Sequence, residues 1–156
     1  MAAPVAFEPE YVDALRALFE DRIAFNRVMG LRIDAIKPDG VQGSLALKPE
    51  LLGHPAHHRL HGGVISATLD AMAGLAVMAA IGARHLDEAI DARLARFGKL
   101  GTIDLRIDYL RPATGPHFTA TAQVLRLGSR LASTRMEFAD AKGTLLATGA
   151  AAYIVA

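Results

Sequence analysis

Two hydrophobic periods divide the chain. From about Glu8 to Met29, Val12, Leu15, Phe19 and Ile23 recur at steps of three and four, while Glu, Asp and Arg fill much of the opposite face. That spacing predicts an amphipathic surface helix, stopped by Gly30. Leu31–Lys37 and Val41–Lys48 are short apolar stretches separated by Pro38-Asp39-Gly40. Proline fixes one turn φ and glycine supplies the permissive one, so the pair is predicted to form a β-hairpin. From Arg84 to Phe97 the chain is polar and reads as irregular with a short helix. Beyond it the period becomes two: Ile103, Leu105, Ile107 and Tyr109 alternate with Thr102, Asp104, Arg106 and Asp108. This predicts a strand over Thr102–Tyr109 with one dry face and one wet or interface face, ended by Arg111-Pro112. Phe118–Leu127 and Leu131–Phe138 flank a hairpin connection at Gly128-Ser129, and Lys142-Gly143 turns into a last strand, Thr144–Val155.

Between these regions lies a run of 18 positions, Val64 to Ile81, nearly all apolar or Gly and interrupted only by Ser66, Thr68 and Asp70. Its length approaches that of a membrane span. An Asp near the centre of a span costs about 2.5–3.5 kcal/mol, however, and Lys or Arg does not flank both ends. The wealth of Ala and Gly suits close packing against protein, so the run reads as a buried central helix over roughly Gly62–Ala83. A helix that is apolar all round must be wrapped by a curved sheet or shared with a second subunit. An α+β architecture follows, with antiparallel strands around the central helix.

Composition narrows the function. The 156 residues make one ordinary domain, 52% hydrophobic and 21% charged. Seventeen Lys plus Arg against sixteen Asp plus Glu leave a net charge of +1, with no overall basic excess for nucleic acid. The absence of Cys excludes disulfides, thiolate nucleophiles and Cys-ligated zinc, and fits a reducing compartment. The first ten residues show no basic region followed by an apolar one, so a cytoplasmic location is expected. No nucleophile elbow, Walker loop or dinucleotide fingerprint occurs, and no cofactor is expected.

Candidate chemistry concentrates in His61-Gly62-Gly63-Val64-Ile65-Ser66-Ala67-Thr68-Leu69-Asp70. Glycines at a helix start allow close backbone approach and leave N–H donors free for an anion or a developing oxyanion. Gly62, Ser66, Asp70 and Gly74 recur at steps of four, a small or polar stripe carrying one carboxylate. Eight residues along a helix place Gly62 and Asp70 about 12 Å apart, too far for both to touch one carbonyl. Two antiparallel copies of the helix would solve this, giving two equivalent sites at an isologous dimer interface. His54, His57, His58 and His61 form a second cluster, and His57 and His61 have a metal-compatible spacing on a helix. Gly53, Pro55 and the following glycines instead argue for a loop, with no acidic ligand among the histidines, so no metal is assigned. Ser66 as a nucleophile would need a nearby His that spacing does not force.

His61-Gly62-Gly63 with Asp70, the phrase Thr102-Ile-Asp-Leu-Arg-Ile-Asp-Tyr-Leu-Arg-Pro112 and the Gly128-Ser-Arg130 hairpin resemble a hotdog-fold thioesterase of the phenylacetate-pathway type. The helical N-terminus and Lys99-Leu-Gly-Thr-Ile-Asp-Leu-Arg are most similar to the bacterial medium/long-chain acyl-CoA thioesterase subgroup. The resemblance covers about Leu31 to Val155 and implies a division into a helical extension, 1–30, and a thioesterase domain, 31–156. It implies hydrolysis of acyl-CoA thioesters in a homodimer or homotetramer. Asp70 would act as general base or as nucleophile, Gly62 as backbone donor to the thioester oxygen, and Thr102 as a hydroxyl near the attacking water. His54 stands where relatives often carry Asn. His54, His61, Gly63, Ser66, Lys99 and Arg130 form the expected substrate-contacting set, with Lys99, Arg111 and Arg130 offered to the phosphates of coenzyme A. An aryl-acetyl-CoA thioesterase, a hotdog dehydratase or hydratase, a non-catalytic acyl-CoA-binding module and a purely structural dimer are the alternatives.

Overall fold

The structure, a computed structural model, describes residues 5–156; the first four residues of the 1–30 extension lie outside it. The elements in chain order are α1 (Pro9–Ala17), α2 (Ala24–Met29), β1 (Arg32–Lys37), β2 (Gly40–Ala46), β3 (Leu52–His54), β4 (Arg59–Leu60), α3 (Gly62–Arg84), α4 (Ile90–Ala95), β5 (Gly101–Tyr109), β6 (His117–Leu127), β7 (Leu131–Asp140) and β8 (Leu145–Ile154). Strands β1-β2-β6-β7-β8-β5 form one antiparallel sheet in that order, and β3 pairs with β4 in a small separate ladder. Leu69, Met72, Leu75, Val77 and Met78 of α3 are completely buried, facing a sheet side that carries Phe118 and Phe138 stacked at 5.3 Å. This is the α+β hotdog arrangement implied by the resemblance. By length and composition α3 would cross a membrane, but 67% of its most apolar window is buried inside the fold, as befits a core helix.

The amphipathic N-terminal helix is not continuous. It breaks at a π-helical turn, Leu18–Arg22, and Ile23 is extended before α2 resumes. The break is held from inside: the Asn26 amide donates to the Phe19 carbonyl at 3.0 Å, and the nearly buried Glu20 accepts from the Ile33 N–H at 2.6 Å while pairing with Arg32 at 3.0 Å. An unbroken helix would leave those partners apart. Tyr11, Leu15, Phe19 and Met29 consequently belong to the core. Gly82 of α3 makes room for the Tyr11 ring, which a Cβ there would strike, and the Tyr11 hydroxyl donates to the Met78 carbonyl at 3.0 Å. Fully buried Arg93 of α4 lies 4.4 Å from the Tyr11 ring centroid and bonds Glu8 at 2.6 Å.

Strand β5 forms one edge of the sheet, and Ile103, Leu105 and Tyr109 stand exposed on it. A bulge separates its first rung, Thr102 opposite Tyr153, from the next, Asp104 opposite Ala152. The extra residue, Ile103, shifts the alternation. Thr102, expected on the face opposite Tyr109, instead reaches α3 just as Tyr109 does. The histidine-rich stretch, expected as a loop, holds the β3–β4 ladder, a 3₁₀ turn at Pro55–His57 and His58 in left-handed conformation at φ 46.

Candidate active site

The two glycines that open α3 are engaged differently. His61 caps the helix: its Nδ1 accepts the Gly63 N–H at 2.8 Å, and its carbonyl accepts from Val64 and Ile65. Among the described residues no acceptor faces the Gly62 N–H, which remains the open donor of the first turn. Gly53 backs this corner, where a Cβ would lie only 2.7 Å from the His61 Cα. The Tyr109 hydroxyl donates to the Gly62 carbonyl at 2.9 Å, and its ring stands 3.3 Å from the position of a Gly62 Cβ. Ser66 donates back to the Gly63 carbonyl at 3.1 Å, a bond within the helix that gives it no base.

Two turns further along α3, Asp70 is held by hydroxyls from the sheet. Its Oδ1 accepts from Thr102 at 2.8 Å and from Tyr153 at 2.6 Å, and the Asp70 carbonyl lies 2.8 Å from the same phenol. Burial pushes the Tyr153 hydroxyl far above its ordinary pKa, with the bond to Asp70 as the next cause, so the phenol stays a donor. Asp70, Thr102 and Tyr153 open on a cavity of about 280 Å³ whose other walls are largely apolar: Phe19, Ile23 and Phe25 from the N-terminal segment, Ala67, Ala71 and Gly74 from α3, and Phe97 and Leu100. That volume is close to the lower end for small-molecule sites. A half-buried carboxylate at the head of an apolar slot is equipped to take a proton from water, or to attack, beside an acyl group.

The structure therefore brings Asp70 and Thr102 together and places His61, Gly62, Gly63 and Ser66 at the preceding turns of α3. His54 is exposed, its ring 4.4 Å from that of His57. Among the described residues no three His, Asp or Glu side chains converge as metal ligands. Lys99 lines a different hollow, about 610 Å³, at the far end of α3 with Arg84, His85, Glu88, Arg96 and Ser129; Arg130 follows in the same hairpin turn. Glu88 there is held below the usual carboxylate range, chiefly by its bond to Arg96. A third hollow, about 420 Å³, lies over β1, β2, β6 and β7 and is remote from Asp70. Sequence reasoning missed Tyr153 and the aromatic walls. The signal for Tyr153 was its phase: it follows Ala147, Gly149 and Ala151 at steps of two, the buried side of β8, so its ring faces the helix.

Residues 57–147 match the Thioesterase superfamily. The medium/long-chain acyl-CoA thioesterase YigI of Escherichia coli K12 is 36% identical over 138 residues, which cover 88% of this chain and 89% of YigI. A crystal structure from Shewanella oneidensis, described as related to the thioesterase superfamily, superposes with TM-score 0.88 at 37% identity over 96% of this chain and all of that one. A structure from Syntrophus aciditrophicus reaches TM-score 0.83 at 34% identity, covering 93% of this chain and 95% of its own. With likeness of this extent running through helix, sheet and the Asp70 region alike, the chain belongs to the thioesterase superfamily.

Proposed function

We propose that the protein hydrolyses acyl-CoA thioesters, with medium- to long-chain acyl groups preferred. The observation that carries the reading is Asp70, fixed by Thr102 and Tyr153 at the head of the apolar cavity. Water attacks the thioester carbonyl carbon while Asp70 takes its proton; the tetrahedral oxyanion is met by the Gly62 N–H; the C–S bond then breaks and the proton passes to the departing thiolate. Attack by Asp70 itself would give a mixed anhydride and the same products. A single turnover in ¹⁸O-water reports an anhydride opened at the Asp70 carbon, since that route alone leaves the first acid released unlabelled and puts the solvent oxygen on Asp70.

Within one chain Gly62 and Asp70 lie about 12 Å apart along α3. The composite site is completed by a second copy of the chain, which presents its Gly62 to this Asp70. Two features support it: β5 is an edge nine residues long with exposed Ile103, Leu105 and Tyr109, and the neighbouring stripe of α3, Ser66, Ala67, Asp70 and Ala71, is only half-buried. The 1–30 extension acts with the 31–156 domain, supplying the cavity wall of Phe19, Ile23 and Phe25. His54 and His61 border the acyl-transfer end, and Lys99 and Arg130 offer charge to the coenzyme A phosphates. Likeness to YigI, a medium/long-chain acyl-CoA thioesterase by name, supports the substrate class.

Thiol release measured over C4 to C16 and phenylacetyl-CoA tests the proposal. The expected optimum is medium to long, and Phe25→Ala, which opens the cavity wall, moves it toward longer or bulkier acyl groups. An optimum at phenylacetyl-CoA would replace the aliphatic preference, and no release from any substrate would end the enzymatic reading.

A further inference from the structure

Both hydroxyls on Asp70 arrive from one rung of the sheet. Thr102 and Tyr153 are direct cross-strand partners on β5 and β8, and the bulge at Ile103 is what turns Thr102 to the same side as Tyr153. They converge on a single oxygen, Oδ1; among the described residues no group donates to Oδ2. Tyr153 has a simpler way to satisfy a buried hydroxyl, the Asp70 carbonyl at 2.8 Å, yet its shorter contact, 2.6 Å, is to the carboxylate. A phenol serving the core alone needs only the carbonyl.

We infer that Tyr153 is a positioning residue: its phenol and the Thr102 hydroxyl clamp one carboxylate oxygen of Asp70 against the sheet and thereby present the other to the cavity as the reacting oxygen. The inference rests on the reading of Asp70 as the reacting carboxylate. One donor would leave the carboxylate able to pivot about that single bond. Two donors fixed on neighbouring strands set its plane, and small displacements of a reacting group are costly: about 1 Å is worth on the order of a hundredfold in rate. Tyr153 is 2% exposed, so solvent cannot take over its place.

The test compares Tyr153→Phe, Thr102→Val, their combination and Thr102→Ser in the full-length protein. Each single loss of a hydroxyl should lower kcat about tenfold, one charge-assisted hydrogen bond's worth, with KM within about twofold. The double variant should lose more than the product of the single effects, because the remaining donor no longer compensates. Thr102→Ser should retain near-normal turnover. The crystal structure of the double variant should show Asp70 in more than one rotamer. A double variant with more than half the wild-type kcat, losses confined to KM, or Asp70 unmoved in that crystal would overturn the inference. Should the wild type release no thiol from any acyl-CoA, the thioesterase reading falls separately, and the Asp70 rotamer in the double variant alone decides whether the clamp exists.

Discussion

Replacing Asp70 by Asn removes a proton acceptor while keeping its shape. The Asn carbonyl oxygen can take the Oδ1 position and still accept from Thr102 and Tyr153, at 2.8 and 2.6 Å in the wild type. Its NH₂ then occupies the place of Oδ2, where it can neither accept a proton from water nor attack a carbonyl carbon. Loss of a general base costs at least about a hundredfold in kcat, or about 2.7 kcal/mol of barrier. The stability cost works out differently. In Asp70→Ala the Tyr153 phenol still has the residue-70 carbonyl, 2.8 Å away, so the buried hydroxyl is not orphaned. The loss is then about 1 kcal/mol for a traded hydrogen bond, or roughly 2–4 °C in thermal midpoint for a domain of this size. Asp70→Asn should melt closer still to the wild type, since a partly buried charge is also removed. Thiol release under saturating acyl-CoA, alongside thermal melts of all three proteins, separates the two effects. An Asn variant keeping more than a tenth of wild-type kcat would remove Asp70 from the chemistry. A drop of many degrees in Asp70→Asn would show that the carboxylate is a structural anchor whose loss disables the site indirectly.

The proposed composite site predicts complementation. Asp70→Ala and a bulky replacement at Gly62 should each be inactive, whereas random exchange between them should restore up to about a quarter of native sites, because one of the two sites in a heterodimer is wild type at both positions. Heterodimers shown to form without regained activity would place the whole site within one chain. Acid should weaken the N-terminal docking: the Arg93 guanidinium bonded to Glu8 holds that carboxyl below its ordinary 4.5. A depressed folded value means the pair stabilises above about pH 4.5 and is lost as acid protonates Glu8, so the thermal-midpoint advantage of wild type over Glu8→Gln should narrow below that pH. An advantage that is constant from neutral to acid would show that the Glu8 charge contributes nothing to docking.

What could be read from the chain depended on the range of the forces involved. The central helix was legible to within one residue at its end because burial on all sides leaves an unbroken apolar run, Val64–Ile81, that no surface element resembles. Hairpins at Pro38–Gly40 and Gly128-Ser129 announce themselves through local turn chemistry, and the strands around them follow. Asp70 stood out as the only acidic residue in that run. The π-helical turn at Leu18–Arg22 did not, because Val12, Leu15, Phe19 and Ile23 keep a helical period through it. Its cause is tertiary, in Glu20 reaching the Ile33 N–H and Asn26 reaching Phe19. The bulge after Thr102 was hidden for the same reason. Strict alternation from Thr102 to Tyr109 puts the two residues on opposite faces, and only the pairing with β8 reveals that Ile103 resets the phase. Tyr153 belongs to this class as well, since its meaning lies in Asp70, 83 residues earlier.

The place of β8 in the sheet sets an order of events during synthesis. Among the described residues strand β5 has no sheet neighbour other than β8, which lies between it and β7 although it emerges from the ribosome after both. Until β8 arrives, β5 has no ladder to join, and Thr102 and Asp70 are a pair without a wall behind them. A nascent chain carrying every residue up to Lys142 would thus have its carboxylate made but not mounted, and an amphipathic strand still waiting for a mate. Long-range pairings of this kind form slowly, so the proposed reactive centre and the pairing of β5 mature in the same late step, when β8 slides between two strands that were made before it.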